Sequence, residues 1–188
     1  FWRVGLTIPL LVVWVIWSNK RKGQPTVWKF NLSQLRPHII VGFLFAADLI
    51  FWHWSVAYTT IANATLLANM ASIFTALIGF LFFHERFSKL FLMGLALSMM
   101  GAMALMGHSA ELNPANLFGD FLGIVTAIAY AAYIIASSRA RQTISTLSLM
   151  MGGTVFSALF LAPVAMIDPG SLTPNTVAGW GPLFGLAW

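Results

Sequence analysis

The sequence predicts an all-α fold, a polytopic bundle of transmembrane helices, and three observations support it. Of the 188 residues, 59% are hydrophobic and only 8% are charged, whereas an ordinary soluble domain has about 25% charged residues. The apolar runs reach the length of a transmembrane helix, about 20 residues. They do not alternate apolar and polar residues as the strands of a membrane barrel do.

Seven apolar segments have, or nearly have, the length that a membrane span needs. They are residues 4–17, 37–58, 61–83, 90–107, 119–138 and 144–167, and a last one that begins near 177. The first residue is Phe1, and the chain ends at Trp188 within an apolar run. We therefore expect the sequence to be a fragment of a longer protein.

The basic residues predict which ends of the spans face the cytoplasm. Nine of the ten Lys and Arg residues lie in alternate connections, those after the first, third and fifth segments. The connections 59–60, 108–118 and 168–176 contain none. Because cytoplasmic loops accumulate Lys and Arg, the basic connections are predicted to be cytoplasmic. Membrane topology thus also explains the net charge of +5. We expect the lipid bilayer as a partner and no nucleic acid.

Small residues recur at every fourth position in three of the spans. In lipid, such stripes let the backbones of two helices approach closely. We interpret them as packing seams within the chain, and contacts of a homodimer are the alternative. The stripes are Ala64, Ala68, Ser72 and Ala76, then Gly94, Ser98 and Ala102, then Gly119, Gly123, Ala127 and Ala131.

Asp48 is the residue that most needs a functional explanation. It lies ~16 Å from the cytoplasmic end of its span, close to the midplane of the bilayer. A carboxylate there costs about 2.5–3.5 kcal/mol and usually faces a bundle interior or a watery cavity. The functional hypothesis is that Asp48 binds a substrate amine or a coupling proton. The structural alternative is an internal ion pair with Arg3, which lies ~21 Å from the cytoplasmic end of the preceding span.

Polar and aromatic residues extend this candidate site along two spans. Trp52 and Ser55 share a helix face with Asp48, and Trp52 could stack on a substrate ring or cation. The alternative for Trp52 is an aromatic residue at the membrane interface. Asn69 and Ser72 form a polar face of the next span, where they either line the pathway or hydrogen-bond to a neighbouring helix.

Two tyrosines and a histidine complete the candidates. Tyr130 and Tyr133 lie three residues apart, so they either bind a zwitterionic or aromatic substrate or pack in the core. His53 lies about 140° around the helix from Asp48 and does not share its face. It is either a proton relay, since histidine titrates near neutral pH, or a hydrogen-bonded packing residue.

The sequence gives no indication of catalysis. It contains no cysteine, which excludes disulfides and cysteine-ligated metals. Motifs of metalloproteases, serine hydrolases and nucleotide-binding loops do not occur. We expect no enzyme activity, no cofactor and no metal site.

Several motifs follow one another in a specific order along the chain. Residues 58–67 read YTTIANATLL, residues 84–88 read HERFS, and a Gly- and Ala-rich run follows at 94–107. In this order they resemble the EamA-type branch of the drug/metabolite transporter superfamily. There a YTxxANAxLL turn links the third and fourth helices and a GERxS turn the fourth and fifth, so His84 stands in the place of a glycine. Residues 119–139 resemble the first helix of the family's second repeat.

The resemblance implies ten helices in two five-helix repeats, of which the second is inverted. Residues 1–108 would then be the first repeat without its first helix, 109–118 a periplasmic linker, and 119–188 the start of the second repeat. The implied protein is a secondary transporter of the bacterial inner membrane. It would export a small-molecule substrate, such as an amino acid or related compound, by alternating access, with proton coupling through Asp48 as one option. The rival hypotheses are a passive channel or facilitator and a non-transporting membrane scaffold or sensor.

Overall fold

The computed structural model describes residues 35–106 and 113–167, together with the isolated positions 7, 9, 12, 13 and 17. The last predicted span, Arg3 and most of the first span lie outside the described residues. Within the described ranges the chain is all-helical, as predicted. The helices are α1 (Leu35–Tyr58), α2 (Ile61–Asn69), α3 (Ala71–Phe83), α4 (Lys89–Met106), α5 (Leu117–Ala140) and α6 (Thr146–Ile167), and a 3₁₀ turn, Pro114–Asn116, precedes α5.

Four stretches of the described chain are long and apolar enough to cross a membrane. They are Leu35–Tyr58, Ile61–Phe83, Pro114–Ala140 and Thr146–Ile167, and the apolar helix α4 is shorter. Large apolar side chains cover their surfaces, among them Phe82 at 73% and Leu90 at 79% exposure. A helix bonds its own backbone groups, so such a surface can lie in lipid. The described helices therefore have the length and composition that the predicted multi-pass membrane protein requires.

The predicted span 61–83 is interrupted at Met70. This residue keeps helical torsions, with φ −64 and ψ −9, but its N–H donates to the carbonyl of Leu67, three residues back, at 3.0 Å. At this point the hydrogen bond spans three residues instead of the four of an α-helix, and this change ends α2 and starts α3. No glycine or proline stands near Met70 in the sequence, so no local signal predicts this break.

His84 ends α3 in the left-handed backbone region, with φ 53. The Glu85 N–H then donates to the carbonyl of Gly79 at 3.1 Å. Glycine adopts this conformation without steric cost, and it commonly follows the end of a helix. His84, which stands where the GERxS pattern has glycine, thus adopts the left-handed conformation that a glycine would adopt without cost.

The described helices belong to two compact units, 35–46 with 136–167 and 47–135. In the first unit, the start of α1 packs closely on α6. The hydroxyl of Ser157 donates to the carbonyl of Gly42 at 3.0 Å, and a Cβ on Gly152 would collide with the ring of His38. Glycines therefore let these two helices meet at backbone distance.

Side-chain contacts agree with the predicted sidedness of the helix ends. In the first unit, His38 Nε2 lies 3.1 Å from the carbonyl oxygen of Ser148, so two helices that both follow basic connections start side by side. In the second unit, Thr59 donates to Asp120, and both residues adjoin connections without Lys or Arg. The inverted relation of two repeats stays a prediction, since the described chain ends at Ile167.

The seam between α1 and α6 predicts opposite outcomes for two glycine substitutions. A Cβ on Gly42 would lie 2.5 Å from the Cβ of Phe156 and 2.9 Å from the carbonyl oxygen of Gly153. Overpacking of this kind costs about 1–3 kcal/mol, so we expect Gly42→Ala to lower the Tm of the detergent-solubilised protein.

Gly94→Ala is the matched control, because nothing lies within 4 Å of its added Cβ. Alanine is favoured over glycine by about 1 kcal/mol in a helix, so this variant should keep or raise the Tm. Equal Tm values for the two variants would contradict the packing described for Gly42.

Candidate functional site

Asp48 lies half-buried in the middle of α1. Among the described residues, no cation and no hydrogen-bond donor acts on its carboxyl group. The predicted ion pair with Arg3 stays a prediction, because Arg3 lies outside the described residues. An ionisable group at this depth usually serves a substrate or ion pathway, so its carboxyl is the first candidate for binding a cation or a proton.

The two tyrosines of α5 form a stacked pair near Asp48. The ring centroids of Tyr130 and Tyr133 are 5.7 Å apart, and the ring planes are inclined by 19°. This spacing is typical of a favourable aromatic pair. The Tyr130 hydroxyl lies within electrostatic range of the Asp48 carboxyl, and its side chain is 39% exposed. The structure thus pairs Tyr130 with Tyr133 by ring contact and places the Tyr130 hydroxyl within electrostatic range of Asp48.

The other predicted site residues divide between α1 and the α2–α3 break. Trp52 is half-buried on α1, and His53 is exposed, as expected for a residue on a different face from Asp48. Asn69 and Ser72 are exposed on either side of Met70. The described hydrogen bonds do not join Asn69 or Ser72 to Asp48, so their role in binding stays a prediction.

Ser55 is fully buried, and its hydroxyl takes part in a contact between helices. It is 0% exposed and donates to the carbonyl of Gly119 at 2.8 Å. A Cβ on Gly119 would lie 2.5 Å from the backbone carbonyl carbon of Tyr58. The serine therefore pins α1 to the start of α5, and its predicted contact with substrate stays untested.

A second carboxylate, Asp120, lies in the first turn of α5 and was missed by the sequence analysis. One of its oxygens accepts from the Thr59 hydroxyl at 2.6 Å and from the Asn63 amide at 3.2 Å. We call Asp120, Thr59 and Asn63 the Asp120 cluster. Hydrogen bonds to a charged group contribute about 1.5–3 kcal/mol each, so the cluster ties the α1–α2 connection firmly to α5.

The sequence offered only a weak signal for this cluster. A carboxylate in the first turn of a helix is ordinary, because the helix dipole favours negative charge there. Its partners lie 61 and 57 residues earlier in the chain, a separation that no local pattern encodes. The backbone N–H of Asn63 donates to the hydroxyl of Thr60, the N-cap of α2, at 3.1 Å, while its side chain reaches Asp120.

Metal binding gains no support from the described part of the chain. No group of three His, Asp or Glu side chains lies close enough there to hold an ion. What the described residues offer instead is the carboxyl of Asp48 in one span, within electrostatic range of the Tyr130 hydroxyl of another. Such a set can bind an organic cation or a proton by charge, hydrogen bonding and ring contact.

Comparison with known proteins identifies the family. The EamA-like transporter family matches residues 1–107, which include Asp48 and the whole of α1 to α4. The chain belongs to the EamA-like transporter family. It is also similar to an uncharacterized transporter of Archaeoglobus fulgidus, with 28% identity over 187 residues that cover 95% of this chain and 61% of that protein.

The family match confirms the resemblance that the motifs at residues 58–67 and 84–88 predict. The chain spans about three fifths of the length of the archaeal relative. Asp48, Thr59 and Asn63 lie within the matched residues, whereas Tyr130, Tyr133 and Asp120 lie beyond them. The candidate site and the Asp120 cluster therefore each join a matched helix of the family to α5.

The buried contact of Ser55 predicts a loss of stability when its hydroxyl is removed. Ser55→Ala leaves the carbonyl of Gly119 without this donor, and an intramolecular hydrogen bond contributes about 0.5–1.5 kcal/mol. We expect a lower Tm in detergent. Ser98→Ala, at an exposed position of α4, is the matched control and should leave the Tm unchanged. A Ser55→Ala protein as stable as this control would show that the hydrogen bond contributes nothing.

Proposed function

We propose that the protein is a secondary transporter that exports small, amine-bearing metabolites, with amino acids and related compounds as the substrate class. It works by alternating access in the bacterial inner (plasma) membrane. The observation that supports this proposal is the position of Asp48, halfway through a membrane span of a transporter-family protein. No cation from the described residues neutralises it, and the Tyr130 hydroxyl, whose ring stacks on Tyr133, lies within electrostatic range of it.

The carboxyl of Asp48 provides a charge that a substrate amine can neutralise. An ammonium group attracts a carboxylate far more strongly in a low-dielectric site than in water. A proton can neutralise the same oxygen atoms. Because one carboxyl group accepts either the proton or the amine, binding of the two is competitive. Competition at a single site is sufficient for the protein to exchange a substrate amine on one side of the membrane for a proton from the other side.

The tyrosine pair provides the rest of the proposed site. The face of an aromatic ring attracts cations, by about 0.5–1 kcal/mol at an exposed position and more when water is excluded. The phenol hydroxyls can donate to the carboxylate end of an amino acid. Asp48 and the pair therefore suit a zwitterion, with the ammonium group at Asp48 and the carboxylate toward the hydroxyls.

Alternating access follows from the cost of moving a bare charge through lipid. An empty, ionised Asp48 stays expensive in the apolar interior, whereas a proton neutralises it and a substrate ammonium group pairs with it. The carboxylate of a zwitterionic substrate is then hydrogen-bonded by the tyrosine hydroxyls. The protonated and substrate-bound forms change conformation more readily, which links the movement of substrate to that of protons. In secondary transporters the binding site lies near the midplane, which is the depth of Asp48.

The deciding experiment neutralises Asp48. The full-length protein is reconstituted into liposomes loaded with ¹³C-labelled amino acids, a proton gradient is imposed, and efflux is measured by mass spectrometry. We expect wild-type efflux to saturate and to depend on the gradient. Asp48→Asn should reduce efflux to the rate measured with protein-free liposomes, because the amide cannot bind an ammonium group by charge or accept the coupling proton.

Glu85→Gln is the matched control, since it neutralises a carboxylate in the connection between α3 and α4. It should transport like the wild type. Undiminished efflux by Asp48→Asn, with the same dependence on the gradient, would refute the role of Asp48. Efflux that neither saturates nor needs a gradient would indicate a channel or facilitator. A wild type that moves no amino acid would favour a scaffold or sensor.

The tyrosine pair is tested by a second substitution. Tyr130→Leu removes the stacked ring, and an aromatic pair contributes about 0.5–1.5 kcal/mol. We expect KM for efflux to rise roughly two- to tenfold, with a smaller change in kcat. Tyr130→Phe keeps the ring and is the conservative control, so it should retain most of the wild-type affinity. Equal KM values for both variants would remove the ring of Tyr130 from the proposed site.

A further inference from the structure

Helix α6 contains a proline in its interior. Pro163 lies within the helix, which ends at Ile167. Proline has no backbone N–H, so the carbonyl group of Leu159, four residues earlier, loses the donor that an α-helix would supply. By the rise of an α-helix, Leu159 lies ~12 Å from the end of α6. Because α6 follows one of the basic connections, which are predicted to be cytoplasmic, this carbonyl lies in the outer half of its span.

The hydroxyls that precede Leu159 on α6 are bonded elsewhere. In membrane helices, Ser and Thr side chains, neighbouring helices or ordered water commonly replace the hydrogen bond that a proline removes. The hydroxyl of Thr154 donates to a carbonyl one turn back along α6 at 2.7 Å. The hydroxyl of Ser157 is shared between a carbonyl one turn back, at 2.8 Å, and the carbonyl of Gly42, at 3.0 Å. Neither hydroxyl therefore compensates for the missing N–H of Pro163.

The side of α6 that carries Leu159 and Pro163 is not covered within the described part of the chain. The side chain of Leu159 is 63% exposed, and Val155 and Met166 are exposed on the same face of the helix. Leu161, on the opposite face, is only 7% exposed. Hydrocarbon contains no hydrogen-bond donor, and a backbone group without a partner in lipid costs several kcal/mol. Contact with water or with a donor group of a ligand avoids that cost.

We propose that this side of α6 faces the water-filled pathway of the transporter, and that the Leu159 carbonyl accepts a hydrogen bond from the ammonium group of the substrate on its way to the outer side. Pro163 is the positioning residue, because its ring keeps this carbonyl without a helical donor. The inference rests on the proposed function and adds to it a second group that contacts the substrate.

The chemistry of a backbone carbonyl suits an amine that is leaving. The oxygen only accepts hydrogen bonds, so it selects N–H donors and offers nothing to a substrate carboxylate. It carries no full charge, and a hydrogen bond to a charged group contributes about 1.5–3 kcal/mol. Transport through a membrane requires sites that a ligand can leave again. The Leu159 carbonyl therefore suits release of the substrate, whereas the charged carboxylate of Asp48 suits its capture.

Cysteine labelling tests whether this side of α6 faces water, without a transport assay. The 188 residues contain no cysteine, so Leu159→Cys supplies a single thiol once any cysteine elsewhere in the full-length protein is replaced by serine. The protein is reconstituted into liposomes with a charged, membrane-impermeant methanethiosulfonate on both sides. This reagent needs water and the thiolate, and hydrocarbon suppresses ionisation of a thiol.

Leu97→Cys is the matched control for the labelling. Leu97 is 70% exposed, similar to Leu159, and its helix α4 contains no proline, so its thiol should lie in lipid. We expect Leu159→Cys to react at least about tenfold faster than Leu97→Cys, because its thiol meets water and ionises. Equal rates at the two positions would overturn the inference.

Protection from labelling tests the ligand. A saturating mixture of the amino acids that the wild type exports should slow the labelling of Leu159→Cys. The same amino acids with acetylated amino groups should not slow it, because they lack the ammonium group. Equal protection by both sets, or protection by neither while wild-type efflux is normal, would overturn the assignment. If the wild type moves no amino acid, the proposed function fails, and the comparison with Leu97→Cys still decides whether this side of α6 faces water.

Pro163→Ala restores the missing N–H and should weaken transport without weakening the fold. Alanine is favoured over proline by about 3 kcal/mol in a helix interior, so we expect a Tm in detergent at or above that of the wild type. The new N–H bonds to Leu159 and occupies its carbonyl. We expect kcat/KM for efflux to fall about tenfold, as for loss of a hydrogen bond to a charged group. An unchanged kcat/KM would contradict the role of the carbonyl.

A transposed proline separates the free carbonyl from the bend that a proline imposes on a helix. Ala162→Pro combined with Pro163→Ala keeps a proline in the same turn of α6. The carbonyl that it frees belongs to Ala158, about 100° around the helix from Leu159. This double variant should transport as poorly as Pro163→Ala alone. A wild-type kcat/KM in the double variant would show that the bend is sufficient, and the Leu159 carbonyl would have no part in transport.

Discussion

The absence of water from the interior of a bilayer is the constraint on which the rest of this structure depends. It makes helices the natural form for the described chain, because a helix bonds its own backbone groups. It removes the hydrophobic attraction between helices, so contact relies on close packing, as at Gly42 and Gly119. It also makes each polar side chain either expensive or useful. The hydroxyls of Ser55 and Ser157 therefore donate to carbonyls of neighbouring helices.

Two carboxylates of this chain, Asp120 and Asp48, differ in their surroundings and therefore in the roles that we assign to them. Asp120 accepts hydrogen bonds from two side chains and lies in the first turn of a helix. Its charge is therefore stabilised within the protein, and the residue holds the α1–α2 connection against α5. Asp48 has no such partners among the described residues, and in the proposed function its carboxyl binds the substrate amine or the proton. The stacked rings of Tyr130 and Tyr133 are the other part of that proposed site. The same side chain thus serves as a fastening in one place and as a proposed binding group in the other.

The helices could be predicted from the sequence because apolar length is a local property. Charge placement likewise predicts which ends lie together, and the pairs His38–Ser148 and Thr59–Asp120 agree with it. The Met70 break and the Asp120 cluster could not be predicted. The break involves no glycine or proline, and the cluster joins residues about sixty positions apart. The sequence placed Asp48 and Tyr130 in one candidate site, but their proximity depends on the packing of α1 against α5.

The hydrogen bond from Ser55 to Gly119 has a consequence for biogenesis. The acceptor lies 64 residues after the donor, so the ribosome delivers α1 to the membrane well before α5 exists. Until then the serine hydroxyl can bond only within its own helix, to a carbonyl one turn back. The contact forms by exchanging that temporary partner for Gly119. The contact between α1 and α5 can therefore form only after α5 has been inserted.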